Sequence, residues 1–228
     1  MSIKTNCLEA RKRKSIPIIR KGLFISFEGI EGCGKSTQAK LLESWLKAQG
    51  FKVVLTREPG GPSISEKIRK ILLDSRNQGM SDLTELLLLQ ASRVQHLAQV
   101  IVPALKAGKV VICDRFADSS TAYQGYGRGL DLKMVGELND FAVDGHWPQL
   151  TLVLDLPVEK GFLRAQGRRR SLDRMETQAV KFHKRVRQGF KAIAKADPGR
   201  VKLLDGSQPP EVIHAAVRQL ALSAMKKR

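Results

Sequence analysis

Gly29-Ile30-Glu31-Gly32-Cys33-Gly34-Lys35-Ser36 sets glycines, a lysine and a hydroxyl at the spacing G-x-x-x-x-G-K-[ST]. That pattern grips the phosphates of a nucleoside triphosphate. Glycines let the backbone curl until several N–H groups face one anion. Lys35 can reach the β- and γ-phosphates, and the Ser36 hydroxyl can hold Mg²⁺. The helix that begins here adds its positive end, with Thr37 in the first turn. The expected triphosphate-binding residues are therefore Gly29, Ile30, Glu31, Gly32, Cys33, Gly34, Lys35, Ser36 and Thr37. The competing reading is a glycine-rich strand-to-helix turn with a chance lysine.

Strand, glycine loop, helix is the order that such a loop requires. Leu23 to Phe27 is a short apolar run suited to a buried strand, and Ala39, Leu42, Trp45 and Leu46 recur at helical spacing. Further strands are expected at 52–56, 110–113, 150–156 and 201–204. Helices are expected at 63–73, 118–124, 131–143, 158–166, 177–196 and 209–225. A long helical tract from about 82 to 106 contains Pro103, which predicts a kink or break near Ile101–Val102. Five apolar strands separated by helices imply an α/β fold with a parallel sheet covered on both faces. Ligands of such sheets sit beyond the carboxyl ends of the strands, so the P-loop, Arg57, Asp114-Arg115 and the Asp205 turn should share one edge.

The chain has 228 residues and 42% hydrophobic content, which suits one sizeable domain. Residues 1–21 are polar and basic and read as an extension; residues 22–228 read as the domain. No apolar run approaches the roughly 20 residues that span a bilayer. Cys7, Cys33 and Cys113 have no metal-ligand spacing and read as free thiols of a reducing, cytoplasmic compartment. Cys33 also stands at a helix N-terminus, which can activate a thiol, so its reversible oxidation could block the loop. A net charge of +18 is compatible with nucleic acid or with polyanionic small substrates. One basic cluster runs from Arg164 through Arg168-Arg169-Arg170 to Arg174 and on to Lys181, Lys184, Arg185 and Arg187. Terminal clusters lie at Arg11–Lys14 and Lys226–Arg228.

Phosphoryl transfer between two anions needs a donor loop, an acceptor-phosphate clamp, Mg²⁺ and cations that arrive on closure. Arg57 and Arg115 follow strands and could form the clamp, because arginine binds phosphate bidentately. The alternative is two ordinary surface arginines. Asp114 could join Ser36 around the metal, directly or through water, or merely pair with a cation. The arginine-rich segment at about 167–176 could be a lid neutralised by the triphosphate, or a solvated helix face.

Beyond the P-loop with Phe27-Glu28-Gly29, the chain carries Thr56-Arg57-Glu58-Pro59-Gly60-Gly61, Ala91-Ser92-Arg93 and Asp114-Arg115-Phe116. Ser119-Ser120-Thr121-Ala122-Tyr123-Gln124-Gly125 and Leu172-Asp173-Arg174-Met175-Glu176 follow. With these residues in this order, about residues 22–222 resemble the thymidylate kinases, which phosphorylate dTMP to dTDP with ATP. The resemblance implies a P-loop nucleoside monophosphate kinase fold with a lid, a Mg²⁺-dependent reaction of dTTP biosynthesis, and a homodimer formed through long apolar helices such as 83–106. It implies a dTMP site of Glu31, Arg57, Arg93, Arg115, Ser119, Ser120, Tyr123 and Gln124. Arg57 and Arg115 would hold the phosphate and Arg93 the thymine edge. Ser119 and Ser120 would line the base pocket, Glu31 would meet the 3′-OH, and Tyr123 would crowd out a ribose 2′-OH. Independently, Tyr123 could be a core aromatic and Arg93 an exposed helix arginine.

Catalytic roles would fall to Lys35, Arg115 and the lid arginines Arg168, Arg169 and Arg170. Some family members carry arginine in the P-loop where this chain has Gly32, which moves the expected catalytic arginine to the lid, with Arg169 aligning best. Leu89 replaces an aromatic that usually stacks on thymine. The competing functions are a kinase for another nucleoside or its monophosphate, a nucleic-acid-dependent P-loop ATPase, and a pure binding module. The paired acceptor motifs disfavour nucleic acid as the main partner.

Overall fold

The computed structural model describes residues 22–166, 174 and 178–226. Arg168, Arg169, Arg170 and the 1–21 extension lie outside the described residues.

The first strand, β1 (Leu23–Glu28), runs into the P-loop and helix α1 (Lys35–Ala48). Then come β2 (Val53–Arg57), α2 (Ser63–Leu73), α3 (Asp82–His96), α4 (Val102–Lys106) and β3 (Val110–Asp114). The chain continues through α5 (Ala117–Ser120), α6 (Leu132–Val143), β4 (Leu150–Asp155), α7 (Val158–Gln166), α8 (Val180–Ala196), β5 (Val201–Asp205) and α9 (Pro210–Lys226). All strand pairs are parallel, in the order β2-β3-β1-β4-β5.

Alternation along the strands divides the core between the two faces of the sheet. Leu23, Ile25 and Phe27 join Val110 and Ile112, and pack with Leu42 of α1, Val186 and Phe190 of α8 and Val217 of α9. Phe24, Val111 and Cys113 point the other way, into a cluster with Leu97, Ile101, Phe116 and Val143. A strand buried on both faces needs apolar residues at every position, and so reads as a continuous run.

Two local irregularities have physical causes. The tract at 82–106 is interrupted by a π-helical turn at Leu97–Ile101 that gives way to α4 at Val102, where a kink or break before Pro103 is expected. Proline has no N–H to offer the preceding turn, and the wider turn absorbs that gap. The helix expected at 118–124 is one α-turn followed by a π-helical stretch, Thr121–Gly127. There the Arg128 N–H donates to the Tyr123 carbonyl, five residues back, at 2.9 Å. A side chain at Gly127 would strike Phe182, so glycine lets this stretch lie directly on α8.

The register sets the strand ends on one edge. Phe27 and Arg57 both pair with Asp114, and Asp155 pairs with Asp205. The P-loop, the turn after β2 and the turn after β3 therefore open together.

Candidate active site

The P-loop curls around the lysine that follows it. Lys35 Nζ donates to the Gly29 carbonyl at 3.0 Å and the Ile30 carbonyl at 2.8 Å, and stands 3.6 Å from Cys33 Sγ. Gly34 precedes α1 at φ 101° and gives the helix no side-chain cap. Its first N–H groups thus remain available to an anion. Ser36 Oγ donates to Asp114 Oδ2, so a hydroxyl and a carboxylate oxygen, hard ligands that suit Mg²⁺, stand together at the loop's mouth. Gly32, Cys33, Gly34 and Thr37 line a depression that continues to Arg164, Gly206 and Gln208. Arg164 is fixed there by donating to the Gly206 carbonyl at 2.9 Å. Cys33 itself is a buried free thiol packed into the core.

A second cavity opens beside the loop, lined among others by Glu31, Arg93, Arg115, Ser119, Tyr123 and Gln124. Its hub is Glu31. Arg115 Nη2 donates to it at 2.7 Å, and the Tyr123 hydroxyl approaches both its oxygens, at 2.9 and 3.0 Å. Burial opposes the charge on Glu31, but Arg115, and after it His183 and Lys35, hold its carboxyl well below the usual range. Arg115 occupies a left-handed backbone conformation at φ 73°, which costs a non-glycine residue about 1 kcal/mol or more. Its guanidinium lies 4.9 Å from the centre of the Tyr123 ring and donates to the Gly29 carbonyl at 2.9 Å. Tyr123 is a core aromatic, edge-on to Phe182 and Phe190, and also lines the cavity.

Arg93 is buried rather than exposed on its helix. It donates to Glu58 at 2.9 Å, Gln90 at 2.6 Å, Asn139 at 3.2 Å and Ser120 at 3.0 Å. One of its five N–H groups is left over for a ligand. Arg57 ends β2 as expected but is outside the cavity lining; its guanidinium pairs with Glu66 of α2 at 2.8 Å. Glu66 also accepts the Gly61 N–H at 2.7 Å, so Arg57 is drawn toward the start of α2.

The family model for thymidylate kinase matches residues 27–217. The chain belongs to the thymidylate kinase family. It is 48% identical over 209 residues to the thymidylate kinase of Geotalea uraniireducens, covering 90% of this chain and 98% of that one. It is 51% identical over 199 residues to that of Halothermothrix orenii, covering 86% and 95%. The crystal structure of thymidylate kinase from Ehrlichia chaffeensis superimposes with a TM-score of 0.71 at 37% identity, covering 88% of this chain and 99% of that one.

Against the thymidylate kinase pattern, Gly32 has a structural reason. A β-carbon there would stand 2.1 Å from the Gly161 carbonyl oxygen of α7, at φ +71°. A β-carbon on Gly161 would stand 2.6 Å from the Glu31 carbonyl oxygen. The P-loop and α7 therefore touch backbone to backbone, and no arginine fits at 32. Gly32→Ala should cost about 2 kcal/mol or more in urea unfolding, and should raise KM for ATP by displacing the loop.

Several site residues carried no sequence expectation. Arg69 lines the second cavity and donates to the Pro59 carbonyl at 2.8 Å. Glu85 accepts from Gln124 at 2.8 Å, from Arg128 at 2.9 Å and from Arg174. Arg174 was expected with the lid around the triphosphate. Instead it is buried at the second cavity, donating to the Leu72 carbonyl at 2.9 Å. Glu58 lay in a quoted motif with no role; here it joins Arg93 to His96. Leu89 lines the cavity at the position noted for its missing aromatic. The described part of the basic cluster is partly neutralised within the fold: Arg187 and Lys191 pair with Asp155, and Lys184 with Glu159.

Proposed function

We propose that the two halves of this site transfer the γ-phosphoryl group of ATP to dTMP, forming ADP and dTDP for dTTP biosynthesis. Membership of the thymidylate kinase family supplies the reaction. The observation that carries the residue roles is Arg115, which bridges Gly29 of the donor loop and Glu31 of the acceptor cavity.

In this reading the P-loop N–H groups and Lys35 hold the ATP phosphates. Arg115 grips the dTMP phosphate and fixes it in line. Arg57, released from Glu66 by the incoming anion, joins it. Arg93 offers its remaining N–H to the thymine edge. Ser120 and Gln124 complete the base pocket and Ser119 stands at its phosphate end beside Arg115, while Leu89 gives thymine an apolar contact in place of a stacked ring, weaker by about 1 kcal/mol. Tyr123, tied to Glu31, walls off the space of a ribose 2′-OH, and Glu31 meets the 3′-OH. Ser36, with Asp114 directly or through water, would hold Mg²⁺, which neutralises charge on the phosphates when bound. The dTMP phosphate oxygen is already ionised, so no strong general base is required. The lid arginines Arg168, Arg169 and Arg170 supply the cation that Gly32 cannot.

A homodimer fits the apolar face left on α3 by Leu83, Leu87 and Val94, with Phe141 of α6 nearby in the fold. Sedimentation at twice the chain mass checks it, and a monomer at micromolar concentration refutes it. Among the described residues no helix is long and apolar enough to cross a membrane, and the expected compartment is the cytoplasm. The reaction is tested by product analysis: ADP and dTDP should appear in equal amounts from ATP, dTMP and Mg²⁺, and chelation by EDTA should stop both. ADP without dTDP would identify an ATPase instead.

A further inference from the structure

Glu28 closes β1 one residue before the P-loop, and its side chain is completely buried. One oxygen accepts the Phe116 N–H at 2.7 Å, and the other lies 2.5 Å from Ser119 Oγ. Both partners belong to the turn that carries Arg115. Ser119 is only half-buried, lines the acceptor cavity, and stands 3.3 Å from Arg115 Nη1. The hydroxyl of Ser119 has a single hydrogen. If Glu28 is ionised, that hydrogen is spent on Glu28 and the serine shows the cavity only lone pairs. If Glu28 carries the proton, it donates to Ser119, whose own hydrogen is then free.

We propose that Glu28 is a positioning residue that, in its protonated form, donates to Ser119 and so turns the serine's hydrogen toward a phosphate oxygen of the acceptor nucleotide. Arg115 Nη1 donates to the same hydroxyl at 3.3 Å, so the guanidinium proposed to clamp the phosphate and the Ser119 hydroxyl would meet the same group. The surroundings favour the proton. Burial, and then the carboxylate of Asp118 on α5, push the Glu28 carboxyl up to about 8. The other charged or titratable groups facing it are Arg115, whose charge acts in the opposite sense, and the buried Cys113 thiol of β3. Asp118 is itself held by Arg200 at 2.7 and 2.9 Å and by Thr151 at 3.0 Å, so its charge next to Glu28 is built in. The inference rests on the assignment of this cavity to dTMP, which turnover by the wild-type enzyme checks separately.

The test is kcat/KM for dTMP from pH 6.5 to 9 for wild type, Glu28→Gln and Ser119→Ala, at saturating Mg-ATP. A glutamine reproduces the protonated carboxyl, because its amide donates to Ser119 and accepts from Phe116. Wild type should lose about tenfold between pH 7 and 9, the worth of one hydrogen bond to a charged group. Glu28→Gln should match it at pH 7 and stay flat, and Ser119→Ala should be low throughout. Substrate ionisations are common to all three and cancel in the ratios. Thermal unfolding gives a second readout. Stability from a raised carboxyl pKa is present at low pH and fades as pH rises through about 8. Glu28→Gln should therefore gain on wild type in Tm from pH 6 to 9. A Glu28→Gln enzyme as poor at pH 7 as Ser119→Ala, or one that keeps the alkaline fall, would overturn the proposal, as would a Tm difference that does not change with pH.

Discussion

Replacing Lys35 with alanine is expected to lower kcat by about 10³-fold or more while leaving the fold intact. The ammonium group is held inside the loop by two carbonyls, at 2.8 and 3.0 Å, where the bridging phosphates of ATP would lie. Arg115 also bonds the loop, at the Gly29 carbonyl and the Glu31 carboxylate, but only Lys35 is held by both the Gly29 and Ile30 carbonyls. The structural cost is small by comparison. The Gly29 carbonyl keeps its bond from Arg115, and only the Ile30 carbonyl loses a donor, about 1–2 kcal/mol. Circular dichroism should be unchanged, with Tm lowered by a few degrees. Turnover within tenfold of wild type would remove Lys35 from the mechanism.

Arg115→Ala should reduce kcat/KM for dTMP by about 10³-fold and leave KM for ATP within a few-fold. The guanidinium holds Glu31, stands over Tyr123 and lines the cavity proposed for dTMP. Removing it loses the phosphate clamp and also frees Glu31, whose carboxyl should then titrate closer to its ordinary range. Glu31 holds Arg115 in place only while ionised, so the stability of this pair is present above about pH 4.5 and is lost as pH falls below it. Arg115→Lys separates charge from geometry. Lysine keeps the charge but not the planar fork, and should recover only part of the loss. An effect confined to ATP affinity would contradict the clamp.

What could be read from the chain alone depended on how local the cause was. The strand at 110–113 and the helix at 35–48 announce themselves within a dozen residues, because burial on both faces or on one stripe writes itself into the local pattern. The P-loop is equally local. The acceptor site is not. Arg93 as a buried hub depends on Glu58, 35 residues away, and on Asn139, 46 residues away. Glu85 looks like an ordinary helix-surface glutamate in the sequence; only folding brings Arg128 and Arg174 onto it. The attachment of Arg57 to Glu66 was invisible for a different reason. Nine residues separate them, but their pairing depends on how the turn after β2 enters α2. Gly32 was read as the absence of an arginine, whereas its contact with Gly161 shows why no side chain can stand there.

The most direct measurement is ADP formation in a coupled assay, with dTMP, dUMP, UMP, CMP and AMP offered side by side at equal concentration. The proposed site predicts that dTMP gives the highest kcat/KM. The ribonucleotides UMP and CMP should fall at least about tenfold below it if, as proposed, Tyr123 closes the space for a 2′-OH. Almost no ADP should form when no acceptor is present. A faster reaction with another monophosphate, or ADP release that is indifferent to the acceptor, would contradict the assignment.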